Sequence, residues 1–161
     1  MEESNCLFLD RDGVINKHRP ADYVKSWEEF EFLEGSLESL AQLSKLFPHI
    51  FIVTNQRGVA KGLMTDQDVN DIHKRMVAEI TEHGGRIDKI YYCTALSNED
   101  INRKPNPGMA HQAQKDFPSI DFSRSIMVGD SDSDIEFGSR LGMKTIRVGR
   151  RGLAEVKNIL F

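Results

Sequence analysis

Five short apolar runs, each of strand length, recur through the chain with helical segments between them, and this alternation limits the fold more than any other feature. The runs are residues 6–10, 50–54, 87–93, 125–129 and 144–148. Several carry Ile, Val, Phe or Tyr without a polar alternation, as strands covered on both faces require. The intervening segments show the longer helical period. Leu37, Leu40, Leu43 and Phe47 mark one face of a helix opening near Ser36. Val69, Ile72, Met76 and Ile80 mark a second, ended by Gly84-Gly85. Asn106 caps a third with Pro107 in its first turn, a fourth runs from about Ser131 to just before Gly142, and residues 153–160 form a short terminal helix. The pattern predicts an α/β fold with a mainly parallel sheet. At 161 residues, a single domain spanning 1–161 is expected.

In such sheets the ligand site lies beyond the carboxyl ends of the strands. Asp10 and Asp12 follow the first run, Thr54 ends the second, Arg103-Lys104 lies in the loop after the third, and Asp130 follows the fourth. Singly, each has a plainer reading. A D-x-D is usually a loop or capping pair, Thr54 can end a strand, and Lys104 can be a surface lysine. Asp130, Asp132, Asp134 and Glu136 can serve a helix dipole. Jointly, four strand ends would bring three carboxylates, a hydroxyl and an ammonium group into one crevice.

Three carboxylates at a few ångströms repel by several kcal/mol at an effective dielectric of about 20. A divalent cation relieves that repulsion, and an all-oxygen anionic shell suits Mg²⁺. Lys104, Thr54 and the amides of residues 10–13 would cradle a phosphoryl group. Asp10 as nucleophile would form an aspartyl phosphate, and Asp12, two residues on, would serve as general acid and then general base. Gly13 follows, where the chain must turn tightly beside the phosphate.

Composition narrows the partners. The formal charge of −4 and the absence of a basic stripe argue against a nucleic-acid partner. The opening Met-Glu-Glu-Ser-Asn lacks a basic stretch followed by an apolar one, and no apolar run reaches spanning length. Neither a secretory signal nor a membrane partner is expected. Cys6 and Cys93 cannot build a disulfide framework, which fits a cytoplasmic chain. A monomer acting on a small-molecule phosphate ester is the expectation.

F-L-D-R-D-G-V-I-N (8–16), V-T-N-Q (53–56), R-K-P (103–105) and V-G-D-S-D-S-D (128–134) resemble the four motifs of the haloacid-dehalogenase (HAD) superfamily of phosphatases. D-R-D-G-V-I-N with T-N-Q is similar to the branch holding heptose 1,7-bisphosphate and histidinol-phosphate phosphatases. The likeness extends to F-E-F-L-E-G (30–35), G-V-A-K-G (58–62), I-Y-Y-C (90–93) and P-G-M (107–109). The resemblance implies a Rossmann-like parallel sheet flanked by helices, with the first strand central. Many members of the superfamily carry a cap domain, but no stretch of this sequence is long enough to be one, so none is expected. It implies Asp10 as nucleophile and Asp12 as acid/base. Thr54 and Lys104 would stabilise the phosphoryl group. Mg²⁺ would be held by Asp10, the backbone carbonyl of Asp12, and Asp130, with Asp134 orienting that shell. Asn55, Gln56 and Arg103 would bind substrate, and residues 17–32 and 94–102 would wall the site. The implied reaction is hydrolysis of a small sugar phosphomonoester in carbohydrate metabolism, with the 7-phosphate of heptose 1,7-bisphosphate leading. Histidinol phosphate and DNA 3′-phosphate ends are enzymatic rivals.

Two departures from that pattern stand out. The branch's structural zinc needs about four N or S ligands, and the loop 94–102 has neither Cys nor His beside Cys93, so no zinc is expected. Ser131 stands where the superfamily usually has a basic residue. Arg57 and Lys61 could compensate, and the forked guanidinium of Arg103 suits a second phosphate. Arg11 is expected to point away from the metal and pair with a neighbouring acid. The five histidines are read as surface or packing residues, His18 alone bordering the site. A phospho-accepting receiver-like module is the non-enzymatic alternative, but its Asp would follow the third strand.

Overall fold

The computed structural model describes residues 5–160. Five strands, β1 (Cys6–Leu9), β2 (His49–Asn55), β3 (Lys89–Cys93), β4 (Ile126–Gly129) and β5 (Lys144–Arg147), form one sheet in the order β3-β2-β1-β4-β5. Every neighbouring pair is parallel. β1 is central and all four of its residues are buried, as its unbroken apolar sequence requires.

The two-residue strand period sorts the core into two layers. Leu7 and Leu9 of β1 and Ile50 and Ile52 of β2 face α1 (Ser36–Leu46) and α2 (Asp66–Glu82), meeting Leu40, Leu43, Val69, Ile72 and Met76. Cys6, Phe8, Phe51 and Val53 face the other way, toward Met109, Ala110 and Ala113 of α3 (Gly108–Asp116) and Phe137 of α4 (Asp132–Arg140). Each large apolar side chain so covered stabilises the fold by about 1.5–3 kcal/mol.

Helix starts follow local chemistry. Thr65 and Asp68 exchange side-chain and backbone bonds in a capping box at α2, and Ser131 and Asp134 do the same at α4. The expected cap of α3 is corrected. Pro107, not Asn106, occupies the capping position, and no side chain caps it. The Asn106 amide is used elsewhere, donating to the carbonyls of Asn98 (2.8 Å) and Asp100 (2.9 Å) and accepting from Arg140. Residues 153–160 also differ from one continuous helix. A 3-10 turn, Gly152–Glu155, precedes a single-turn α5, Lys157–Leu160. The Glu155 carboxylate reaches back to accept from the amides of Gly149 and Arg151, tightening that turn. Among the described residues, no helix is long and apolar enough to cross a membrane.

Candidate active site

The carboxyl ends of β1, β2 and β4 and the loop after β3 meet in one crevice. Asp10 is placed by the sheet itself, since its amide continues the ladder with a 3.0 Å bond to the Val128 carbonyl. The chain then turns sharply. The Arg11 carbonyl accepts from the Ile15 amide at 2.8 Å, and Gly13 adopts φ +89°. A Cβ on Gly13 would run into the Asp130 carboxylate, so only glycine lets these segments approach so closely. Gly129 plays the same part on β4, where a Cβ would strike Asp134.

Lys104 is 3% exposed, and its ammonium group bridges Asp10 Oδ1 at 2.8 Å and Asp134 Oδ1 at 2.6 Å. Its backbone is fixed from β2. The Asn55 side chain accepts from the Lys104 amide at 3.0 Å and donates to the Lys104 carbonyl at 3.2 Å. Asp134 Oδ2 accepts from the amides of Asp130 and Ser131 and from the Ser131 hydroxyl. Asp134 therefore commits both oxygens to protein donors, and Ser131 is occupied with capping α4.

The Asp12 carboxylate faces different partners. Oδ1 accepts from Arg11 Nη2 and Asn16 Nδ2, both at 2.9 Å, and Oδ2 accepts from Gln56 Nε2 at 2.9 Å. Gln56 Nε2 also donates to Thr54 Oγ1 at 2.9 Å. With Oγ1 accepting there, the Thr54 O–H remains available as a donor.

The titration behaviour follows from these neighbours. Burial raises the Asp10 pKa well above the carboxylate range; Lys104 opposes this, and Asp134 adds to the rise. Burial and Asp134 also raise Asp130. Burial works against an ionised Asp12, but Arg11, Asn16 and Gln56 outweigh it and lower its pKa. Burial likewise works against the Lys104 charge, and Asp10 and Asp134 outweigh it, so the ammonium stays protonated. Oxygens of Asp10, Asp130 and Asp134 lie within 4.8 Å of one another. Two raised carboxylate pKa values around an all-oxygen cluster fit a hard divalent cation, which would remove the repulsion.

A cavity of about 230 Å³ opens over these groups, lined by Asp10, Asp12, Asn55, Gln56, Lys104, Asp130 and by the segment from His18 to Val24. Of the wall expected from residues 17–32, only the part from His18 to Val24 lines this cavity. Loop 94–102 engages Arg103 instead, whose guanidinium donates to the Leu96 carbonyl at 3.0 Å and to Asn98 Oδ1. Burial and the neighbouring Arg57 both lower the Arg103 pKa, and each of these two arginines has a buried Nε without a partner.

The structure therefore gathers Asp10, Asp12, Thr54, Lys104 and Asp130 as the sequence predicts. Asn55 and Gln56 line the cavity, yet their amides are spent on Lys104 and Asp12. Arg11 does pair with Asp12, but it is fully buried and also bonded to His73 Nε2 at 3.0 Å. Sequence reading missed that contact. The signal was a histidine beside Ile72 on the apolar stripe of α2, where a buried imidazole needs a polar partner. A receiver-like arrangement is also excluded by topology, because such folds order their strands 2-1-3-4-5.

A family model described as HAD-hydrolase-like matches residues 101–158. The D-glycero-alpha-D-manno-heptose-1,7-bisphosphate 7-phosphatase of Mycobacterium tuberculosis is 42% identical over 132 residues, 81% of this chain and 70% of its own length. The D-glycero-D-manno-heptose-1,7-bisphosphate 7-phosphatase of Chlorobaculum tepidum is 38% identical over 160 residues, covering 92% of this chain and 80% of its own. Among solved structures, the D,D-heptose 1,7-bisphosphate phosphatase from B. bronchiseptica, complexed with magnesium and phosphate, matches with a TM-score of 0.84 at 31% identity. That match covers 98% of this chain and 87% of the other. With likeness of this degree over most of both chains, the protein belongs to the HAD-like family of heptose-bisphosphate phosphatases.

Proposed function

We propose that the chain is a Mg²⁺-dependent phosphomonoesterase that removes the 7-phosphate of D-glycero-D-manno-heptose 1,7-bisphosphate through an aspartyl phosphate on Asp10. The observation that carries the reading is the Lys104 ammonium between Asp10 and Asp134, with Asp130 beside them and the Thr54 hydroxyl at the neighbouring strand end. The substrate rests on the names of the relatives.

Lys104 holds one Asp10 oxygen and leaves the other to attack phosphorus. As the new P–O bond forms, the bond to the sugar oxygen breaks and Asp12 gives that oxygen a proton. Asp12 rests as a carboxylate, and the negative charge of an incoming phosphate strengthens its hold on the proton it must carry. In the second half it takes a proton from the water that attacks the aspartyl phosphate, releasing phosphate and restoring Asp10. Thr54 O–H and Lys104 N–H bind the phosphoryl oxygens in both steps. Asp10, Asp130 and the Asp12 carbonyl would hold Mg²⁺, because Asp134 has committed its oxygens elsewhere. The bound ion supplies charge neutralisation at the phosphoryl oxygens.

The second phosphate of the substrate falls to Arg103 and Arg57. Arg57 lowers the Arg103 pKa, and each of the two guanidinium groups has an unpartnered buried N–H, a pairing of like charges that a dianion would relieve. The test is a kinetic comparison of the α- and β-heptose bisphosphates with histidinol phosphate and 3′-phosphorylated DNA ends, on wild type and Arg103→Ala. The bisphosphates should be preferred, and Arg103→Ala should raise KM for them by about tenfold, one charge-assisted pair's worth, without affecting histidinol phosphate. A preference for histidinol phosphate or DNA ends would overturn the assigned substrate.

A further inference from the structure

Arg11 lies between the two aspartates of D-x-D, and its side chain is fully buried. A buried guanidinium carries a desolvation penalty of several kcal/mol and persists only with well-placed partners. Its Nη2 donates to Asp12 Oδ1 at 2.9 Å. Its Nη1 meets His73 Nε2 at 3.0 Å. Arginine has no acceptor, so His73 Nε2 accepts and the imidazole proton resides on Nδ1. His73 is itself 6% exposed and is anchored on the buried face of α2 beside Ile72 and Met76.

The guanidinium is planar, so a bond at Nη1 fixes where Nη2 points. Gln56 Nε2 holds the opposite oxygen of Asp12 from the end of β2. The carboxylate plane is thus set by α2 acting through Arg11 and by β2 acting through Gln56. The chemistry of the anchor matters. A carboxylate at position 73 would share the Arg11 charge and weaken its hold on Asp12. A neutral acceptor fixes direction and leaves the charge for Asp12. Burial and the adjacent guanidinium hold His73 neutral, with its pKa lowered to about 3.

We propose that His73 is a positioning residue for this reaction, orienting the Asp12 carboxyl group for proton transfer through Arg11. The inference rests on the reading of Asp12 as general acid. It therefore predicts a dependence on the leaving group. A sugar alkoxide needs a proton as it departs, whereas p-nitrophenolate leaves without one.

The experiment compares kcat/KM of the full chain with Mg²⁺ on heptose 1,7-bisphosphate and on p-nitrophenyl phosphate, for wild type, His73→Leu, His73→Gln and Asp12→Asn. His73→Leu should lose about 10–100-fold on the sugar ester, part of the usual worth of a general acid, through kcat with KM unchanged. Its loss on the aryl ester should be several-fold smaller. His73→Gln, which restores an acceptor, should recover most of the sugar-ester rate. Equal losses on both esters, wild-type rates in His73→Leu, or no recovery in His73→Gln would overturn the proposal. If Asp12→Asn lost equally on both esters, the reading of Asp12 itself would fall, and this inference with it. Nitrogen NMR of the wild-type protein gives a check that needs no variant. His73 should be the neutral Nδ1–H tautomer, and an Nε2–H signal would refute the bond to Arg11.

Discussion

Lys104 Nζ lies 2.8 Å from Asp10 Oδ1, although ninety-four residues separate the two in the chain. The same nitrogen is 2.6 Å from Asp134 Oδ1, so one buried cation serves two buried acids. Lys104→Met should cost about 3–5 kcal/mol of stability, because it leaves carboxylates buried without a partner. Added Mg²⁺ should return part of that loss. Urea unfolding of wild type and variant, with and without MgCl₂, measures both effects.

Asp10→Asn keeps an oxygen for Lys104 to bond but removes the nucleophile. The fold should survive, with a melting temperature near that of wild type. Turnover should fall by about 10⁴-fold or more, as when a covalent nucleophile is removed elsewhere. Substantial Mg²⁺-dependent hydrolysis in this variant would remove Asp10 from the nucleophile's role.

Gly13→Ala tests the close approach of two loops. The added methyl meets the Asp130 carboxylate at a backbone angle that favours glycine. A stability loss of about 1–3 kcal/mol is expected from the strain. Titration calorimetry should show weaker Mg²⁺ binding, since Asp130 must move. Unchanged Mg²⁺ affinity would show that Asp130 is not needed for the ion.

His73 makes stability depend on pH. Its folded pKa, about 3, lies below the ordinary histidine value, so between these limits the unfolded chain binds more protons. Stability from this residue is complete above about pH 6.5 and declines by about 1.4 kcal/mol per pH unit below it. Other groups titrate as well, and the raised pKa values of Asp10 and Asp130 act in the opposite sense. The difference between wild type and His73→Gln isolates the histidine. The variant should lose less stability from pH 6.5 to pH 5 in denaturant titrations.

Metal content gives a further check. EDTA should abolish hydrolysis and Mg²⁺ should restore it. Elemental analysis of the purified protein should show no stoichiometric zinc. Cys93 Sγ faces Asp100 Oδ1 at 3.8 Å, and burial raises its pKa, neither of which suits a thiolate ligand. One zinc per chain would overturn that reading.

The sheet and the residues at its strand ends were legible because both are written locally. An apolar run sets a strand, and the next polar residue lands at its carboxyl end, as Asp10 does after Leu9 and Asp130 after Gly129. The direction of each side chain was not legible. Asn55 and Gln56 read as substrate contacts, because T-N-Q says nothing of the backbone of Lys104 or the carboxylate of Asp12. The Arg11–His73 bond joins positions sixty-two apart and depends on how α2 is seated, which no local period encodes. Asn106 misled for a related reason. Its side chain was claimed by the loop carbonyls of Asn98 and Asp100 before it could cap α3.

Because all five strands run the same way, the residues proposed for chemistry crowd one rim of the sheet. At the opposite rim, the turns at residues 83–88, 117–125 and 141–143 lead into β3, β4 and β5, a full strand length from Lys104. A label or affinity handle placed on an exposed side chain there, such as Ser123, should leave hydrolysis intact. Strand polarity thus divides the molecule into an end that carries the proposed chemistry and an end whose turns serve the fold.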